Sequence, residues 1–551
     1  MQRRDFHALA DGEYDLLVVG GGIHGLTTAL AAARRGASVA LVDKGDVGAS
    51  TSFNHQRTAH GGLRALQTGR LAHARASILE RRALARMAPR LLRPLPFLVG
   101  TYRSVVKSRL ALRAAFRVDE WLGRDRNEGV EPELHLPPAK LVSRAATVKL
   151  FPGIRPDRLT GGANWYDYQI VYANRLTIAF AEAAAAHRAR LVTYAAAVSA
   201  LKEHGRVTGM RVRDVLSGEE LDVRARLTIN AAGAHAGEMM KMFGVARELP
   251  LLKATNLITS RPASDMALAA PAFAARAAAD QPAYAGAMLT LTPWQGRAMV
   301  GTFQSDAFRQ PGDLPVTAAE IDDMIAAANS AFPALKLTRD HIMLVHRGIV
   351  PAQRGRDGRA VLLASPQIVD HDPEGAGGAM TVIGVKYTTA RATGARAADA
   401  AIRRLGKPAL KPRREPSEVL PGAGIADHEA LAIETARAAG LELAPPIIRH
   451  LTTIYGDRCA PIVRLMAERT EWRMPLVAGG PNVGAEVIHA IRSEMAVTLA
   501  DIVIRRTELG AMGRPGEEVV AACARLAADE LGWDAARRDR EIAAVNGFYG
   551  R

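Results

Sequence analysis

The stretch Asp15-Leu-Leu-Val-Val-Gly20-Gly21-Gly22-Ile-His-Gly25, followed by Leu26-Thr-Thr-Ala-Leu30, decides the fold, because an apolar run passes straight into G-x-G-x-x-G. Leu16 to Val19 read as a buried parallel strand, and a helical pattern begins at the glycines. Gly20 permits the tight turn, Gly22 lets backbone approach a pyrophosphate, and Gly25 lets the helix pack against the strand. The predicted ligand is a dinucleotide. A second run, Ala37-Ser-Val-Ala-Leu-Val-Asp43, ends in a carboxylate roughly twenty residues beyond the glycines, where a ribose hydroxyl needs an acceptor.

A chain of 551 residues exceeds what one core organises, so two or three domains are expected, and an apolar content of 48% is ample to fill them. Lys and Arg number 72 against 56 Asp and Glu, a formal charge of +16. That charge suits an anionic substrate or an anionic lipid surface, and it also suits a merely Arg- and Ala-rich background. Arg is spread along the chain without interleaved aromatics, which argues against a nucleic-acid module. Cys459 and Cys523 lack metal-ligand spacing, so neither a disulfide framework nor a metal site is indicated, and a reducing, cytoplasmic compartment fits. No run of 18 uncharged apolar residues occurs, and Met1-Gln-Arg-Arg-Asp-Phe-His has no apolar segment behind it. Any membrane contact is expected to be peripheral, on the cytoplasmic face.

After Asp43, the small and hydroxylated residues from Gly48 to Arg64, including Thr51, Ser52 and His60-Gly61-Gly62, read as a loop held against a ligand. A long helical stretch through Ile78 to Met87 follows, with Pro89, Pro94 and Pro96 expected to end it. Residues Tyr102 to Asn127 are basic and amphipathic, a pattern shared by membrane-surface helices and ordinary half-buried ones. From Arg190 to Gly233 short strands are expected, ending in Asn230-Ala-Ala-Gly233, where a second backbone crossing comes close to the dinucleotide. Met380-Thr-Val-Ile-Gly384-Val-Lys386-Tyr-Thr388-Thr389 repeats the order strand, glycine turn, helix. Residues 411–422 read as a Pro/Lys/Arg-rich linker, and 423–551 as an all-α domain.

In this order, the segments resemble the FAD-dependent, quinone-linked glycerol-3-phosphate dehydrogenases, within a wider superfamily of flavin amine and hydroxyl oxidoreductases. The resemblance is carried by Val18-Val-Gly-Gly-Gly-Ile-His-Gly25, His60-Gly-Gly-Leu-Arg64, Met87-Ala-Pro89, Asn230-Ala-Ala-Gly233, Pro293-Trp294 with Gly301-Thr302, and Gly384-Val-Lys-Tyr-Thr-Thr389. It continues past the linker in Arg449-His-Leu-Thr-Thr-Ile-Tyr-Gly456 and in Glu486 to Thr507, so it spans most of the chain. It implies an α/β fold: a discontinuous, Rossmann-like FAD-binding domain with an inserted, mostly antiparallel substrate domain over 1–410, plus the helical C-terminal domain.

What the resemblance further implies is oxidation of sn-glycerol 3-phosphate to dihydroxyacetone phosphate by hydride transfer to FAD, with electrons passed to quinone. The cofactor positions are Gly20, Gly22, Gly25, Asp43, Thr51, Ser52, His60, Gly61, Gly62, Val198, Ala232, Gly233, Gly384, Lys386 and Thr388. Arg64 and Lys386 fall at active-site positions as cations that stabilise a developing alkoxide. His60 is read as a structural or flavin-contacting histidine ahead of a proton carrier, and His24 as facing solvent or packing.

The pattern breaks on the substrate side. The family's Gly-hydrophobic-Arg-Pro reads Gly348-Ile349-Val350-Pro351 here, and its Lys-Gly-Ser-His reads Lys253-Ala-Thr-Asn256. A second family Arg falls near Ala364-Ser365-Pro366. A phosphate dianion is ordinarily met by several charge-assisted hydrogen bonds, each worth about 1.5–3 kcal/mol. The resemblance places Arg64 and Asn256 at the substrate, and the lost cations leave Arg297 or Arg354 as their replacement; Arg347 should point to the face opposite Val350. The departures keep two other readings open: a flavin enzyme for an amine, amino acid or non-phosphorylated hydroxy acid, and a non-catalytic flavin-binding protein.

Overall fold

Strand β1 (Tyr14–Val19) is apolar from Leu16 onward because helices cover one face and a hairpin layer the other, leaving Leu16, Leu17 and Val18 fully buried. In this computed structural model, residues 3–61, 70–102, 109–272, 284, 286–406, 418–424 and 427–549 are described. Gly62, Arg64, most of the 411–422 linker and residues 103–108 of the basic stretch lie outside them. β1 pairs in parallel with β2 (Val39–Val42) on one side and β4 (Glu220–Asn230) on the other. Beyond β4 lies β8 (Ala379–Ile383), and beyond β2 the strand Arg190–Val192. Helix α1 (Ile23–Ala33) leaves the glycine turn and packs against α5 (Ala390–Arg404) and α4 (Ala173–Ala186).

Twice the chain leaves this parallel sheet to build a second, mostly antiparallel one. The first excursion contributes Thr58–Ala59, Leu92–Tyr102 and β3 (Leu159–Ile170). The second contributes β5 (Leu251–Pro262), Met288–Trp294, β6 (Arg297–Gln304) and β7 (Ile342–Arg354). The discontinuous α/β architecture expected from the sequence is thus present. One expectation fails. Pro94 and Pro96 do not end the preceding helix, α2 (Leu71–Met87); they sit inside Leu92–Tyr102, opposite Tyr168 and Tyr166 of β3. Among the described residues, the neighbour on the other side, Ala267–Ala269, pairs with Phe97–Val99 and not with the two prolines, which lie where that edge needs no donor.

The basic stretch contains helix α3 (Arg109–Leu122), which buries Phe116 and leaves Trp121 65% exposed. Six helices of eight or more residues among the described residues, from His428–Ala438 to Ala535–Phe548, form the C-terminal layer. Their core is continuous with Phe53, Ile258, Trp294, Met299 and Leu344, so this layer packs on the second sheet and on the loop after β2. Among the described residues, no helix is long and apolar enough to cross a membrane.

Candidate active site

The glycine turn is built too tightly for side chains. Gly20 has φ +113°, and a Cβ there would lie 2.5 Å from the Ala231 carbonyl oxygen. A Cβ on Gly25 would lie 1.8 Å from the carbonyl oxygen of Gly20, which is how closely α1 crosses β1. Gly22 is the N-cap of α1, and the amide of Ile23 donates to Ser52 Oγ at 2.9 Å. Asp43 accepts from the Gly21 amide at 2.5 Å and the Gly45 amide at 2.8 Å, and burial pushes its carboxyl up against those two donors. Each of its oxygens keeps a lone pair for a ribose hydroxyl. Ala232 and Gly233 follow β4 beside this turn, where Asn230 Oδ1 accepts from the Ala232 amide. Val198 sits half-buried on the strand Ala195–Glu203. A cradle with no room for Cβ atoms, a helix N-terminus and a carboxylate after β2 fits the diphosphate and ribose of FAD.

At the far end of the loop, the segments singled out from sequence meet. The His60 amide donates to Thr388 Oγ1 at 3.1 Å, joining the His60-Gly61 segment to the Gly384–Thr389 turn that carries Lys386. Thr51 Oγ1 donates to the Ile349 carbonyl, tying the same loop to β7. His24 packs under Gly384, whose Cβ would fall 2.3 Å from the imidazole. Burial lowers this histidine to about 4, so it is neutral packing. Lys386 is exposed, with His73 Nε2 at 3.4 Å from its Nζ.

Asp167, which the sequence reading passed over, organises this end. It lies on β3 with its side chain 5% exposed, accepting from the Gly61 amide at 2.6 Å, Arg81 at 2.6 Å and Trp165 Nε1 at 3.1 Å. Burial pushes its carboxyl up, but Arg81, His60 and the Gly61 amide outweigh that and hold it below the ordinary range. His60 Nδ1 lies 3.5 Å from Asp167, His60 Nε2 lies 2.7 Å from Thr58 Oγ1, and the imidazole is 49% exposed. A half-exposed imidazole backed by a buried carboxylate can accept a proton and be stabilised as imidazolium. The one clue in sequence was an acid within the aromatic run Trp165-Tyr166-Asp167-Tyr168.

The substrate-side departures occupy the second sheet. Asn256 is buried and accepts from Thr302 Oγ1 at 2.9 Å. Directly across from it on β7 is His346, fully buried, edge-on to Phe53 with ring centroids 5.0 Å apart. Burial, then Arg57, pushes His346 well below its ordinary value, so it stays neutral. Arg297 and Arg354 are not brought together. Arg297 pairs with Pro262 at one end of β5 and donates to the Ser260 carbonyl, whereas Arg354 lies past the other end, within its own hairpin, donating to the Gly358 carbonyl. Lys253 is matched by Glu320 at 2.6 Å.

This combination of fold and cradle defines a flavin-dependent oxidoreductase. The family model described as FAD dependent oxidoreductase matches residues 15–400, and the chain belongs to that family, with FAD as its cofactor. The C-terminal domain of alpha-glycerophosphate oxidase matches residues 417–538. More particularly, the chain is similar to proteins named glycerol-3-phosphate dehydrogenase. That of Synechocystis sp. is 29% identical, covering 98% of this chain and 97% of its own length. The Mycobacterium leprae protein is 29% identical over 97% and 88% respectively. The mitochondrial protein of Bos taurus is 28% identical over 97% and 73%. The solved Bacillus halodurans glycerol-3-phosphate dehydrogenase complexed with FAD shares the fold, with a TM-score of 0.72 at 21% identity, covering 98% of this chain and 96% of that one.

Proposed function

We propose that this chain oxidises sn-glycerol 3-phosphate to dihydroxyacetone phosphate and passes the electrons to a quinone. The observation that carries the chemistry is the His60–Asp167 pair, tied through Thr388 to the turn of Lys386. Bound FAD supplies the acceptor for the hydride of the carbinol carbon. The chain's own part is to take the hydroxyl proton. His60 Nε2, which meets the rotatable Thr58 hydroxyl, is the nitrogen that accepts it; Asp167 beside Nδ1 stabilises the resulting cation. Lys386 and Arg64 supply positive charge for the developing alkoxide and the phosphate. Gly20, Gly22, Gly25 and Asp43 hold the diphosphate and adenosine ribose, and the 411–422 linker divides the oxidoreductase region from the helical domain.

Similarity to glycerol-3-phosphate dehydrogenases over nearly the whole chain supports the substrate. Val350 and Asn256 in place of a cation and an imidazole favour the competing reading, a substrate without phosphate. An anaerobic absorbance titration separates them. Bleaching of oxidised flavin by glycerol 3-phosphate, and not by glycerol, is the expected result; a band unmoved by either transfers the assignment to another substrate. For the acceptor, α3 is the surface that meets a bilayer: Trp121 is 65% and Val118 37% exposed beside Arg113, Arg117 and Arg124. Salt-sensitive binding to vesicles containing anionic lipid, weakened by Trp121→Ser, is the expected outcome.

A further inference from the structure

The turn after β2 is held from two sides. From the dinucleotide side, Asp43 takes the Gly21 amide and the Gly48 amide donates to the Gly21 carbonyl at 3.0 Å. From the other side, Asp46, fully buried three residues after Asp43, takes donors from the C-terminal layer. Arg505 Nε donates to its Oδ2 at 2.6 Å, Arg506 Nη1 to Oδ2 at 2.8 Å, and Arg506 Nη2 to Oδ1 at 2.7 Å. Consecutive arginines ordinarily diverge on an α-helix. Here they converge on one carboxylate from a buried π-helical turn, Asp501–Arg506.

The surroundings are charge-balanced. Arg505 also meets Asp501, and Arg506 also donates to the Glu494 carbonyl at 2.9 Å. Arg175 of α4 holds the Glu494 carboxylate with both nitrogens, at 2.7 and 2.9 Å. Asp501 is further fixed by the Val497 and Thr498 amides and by Tyr194, whose hydroxyl donates at 2.6 Å. Asp46, Glu494 and Asp501 thus alternate with Arg175, Arg505 and Arg506, so removing any one leaves a buried charge unmatched.

We infer that Arg505 and Arg506 are positioning residues for FAD: acting through Asp46, they fix the turn that presents Asp43, and through it the glycine loop, to the dinucleotide. The cofactor site therefore extends functionally into the helical C-terminal domain. A displaced Asp46 frees the 43–48 turn, and a site held to within fractions of an ångström loses affinity when its support relaxes.

The test uses the full chain with FAD and separates positioning from general stability. Asp46→Asn should raise the FAD dissociation constant by about tenfold, read from the fluorescence of released flavin, and lower the unfolding midpoint at saturating FAD. Asp46→Asn combined with Arg506→Met restores charge balance, so its midpoint should recover towards wild type while FAD binding stays weak. Arg505→Lys, which keeps the charge and loses the fork, should weaken FAD about threefold to tenfold with little change in midpoint. FAD affinity that returns together with the midpoint in the double variant, or that stays at the wild-type value in all three, overturns the proposal. Wild-type FAD binding in the same assay distinguishes either result from failure of the cofactor site itself.

Discussion

At His60 the proposed chemistry depends on how each ring nitrogen is held. Nδ1 faces a carboxylate pinned by Arg81, Trp165 and the Gly61 amide, so the ring cannot turn without losing its counter-charge. His60→Gln keeps a polar side chain but cannot carry a proton, and kcat should fall by about 10²–10⁴ while flavin absorbance per protein stays at the wild-type level. An unchanged kcat would remove His60 from the mechanism and return it to a flavin contact. Gly25 tests the other end of the site. A methyl group there would meet the Gly20 carbonyl at 1.8 Å, backbone against backbone, so neither partner can swing aside. Gly25→Ala should therefore be purified without flavin although its circular dichroism is that of wild type; a yellow, FAD-loaded variant would show that α1 shifts freely on β1.

Among the elements, those read correctly from sequence are those whose signal is local. β1, the glycine turn and α1 are consecutive, and each glycine is demanded by a neighbour within a few residues or by the adjoining β4 turn. The turn Gly384–Thr389 was equally legible, because β8 and α5 flank it directly. Pro94 and Pro96 misled because proline breaks a helix by itself but is tolerated in a strand with a free edge, and that edge is created by Ala267–Ala269, far away in the chain. Asp167 was hard to see for the same reason: its partners Gly61, Arg81 and His60 come from other elements, and an acid in an aromatic run is a weak clue with no local period to mark its role. His346 opposite Asn256 is a matter of register between β5 and β7, which alternation alone does not fix.

Across the whole molecule, the C-terminal layer is not an appendage. Glu508 buries its carboxylate near Arg57 and Arg175, with Asn174 and Tyr172 also close. Arg57 is itself fully buried, with its guanidinium between the rings of Phe53 and Trp294 at 5.1 and 4.8 Å. Burial pushes Glu508 up from 4.5 to about 7, despite both arginines. The folded chain therefore holds a proton there that the unfolded chain gives up, so this stability is complete below the unfolded value and is lost as pH rises through about 7. Glu508→Gln, which mimics the protonated form, should match wild type in unfolding free energy at about pH 4 and exceed it at pH 8, by about 1–3 kcal/mol. A gap that is the same at both pH values would mean Glu508 titrates normally. Cutting the chain takes this dependence further. A fragment ending at residue 410 would expose Ile258, Trp294, Met299 and Leu344, which share one core with the C-terminal helices. It would also strip Asp46 of Arg505 and Arg506, and Arg175 of Glu494, uncovering charges that the full chain holds matched and buried. Against a typical domain stability of about 5–15 kcal/mol, opening a core shared by both parts is a large loss. The fragment should therefore elute in size-exclusion chromatography as aggregate without flavin absorbance. A monomeric, flavin-loaded fragment would show instead that the Rossmann-like sheet and the antiparallel sheet suffice to hold FAD, and that the helical layer serves only the substrate or its electron acceptor.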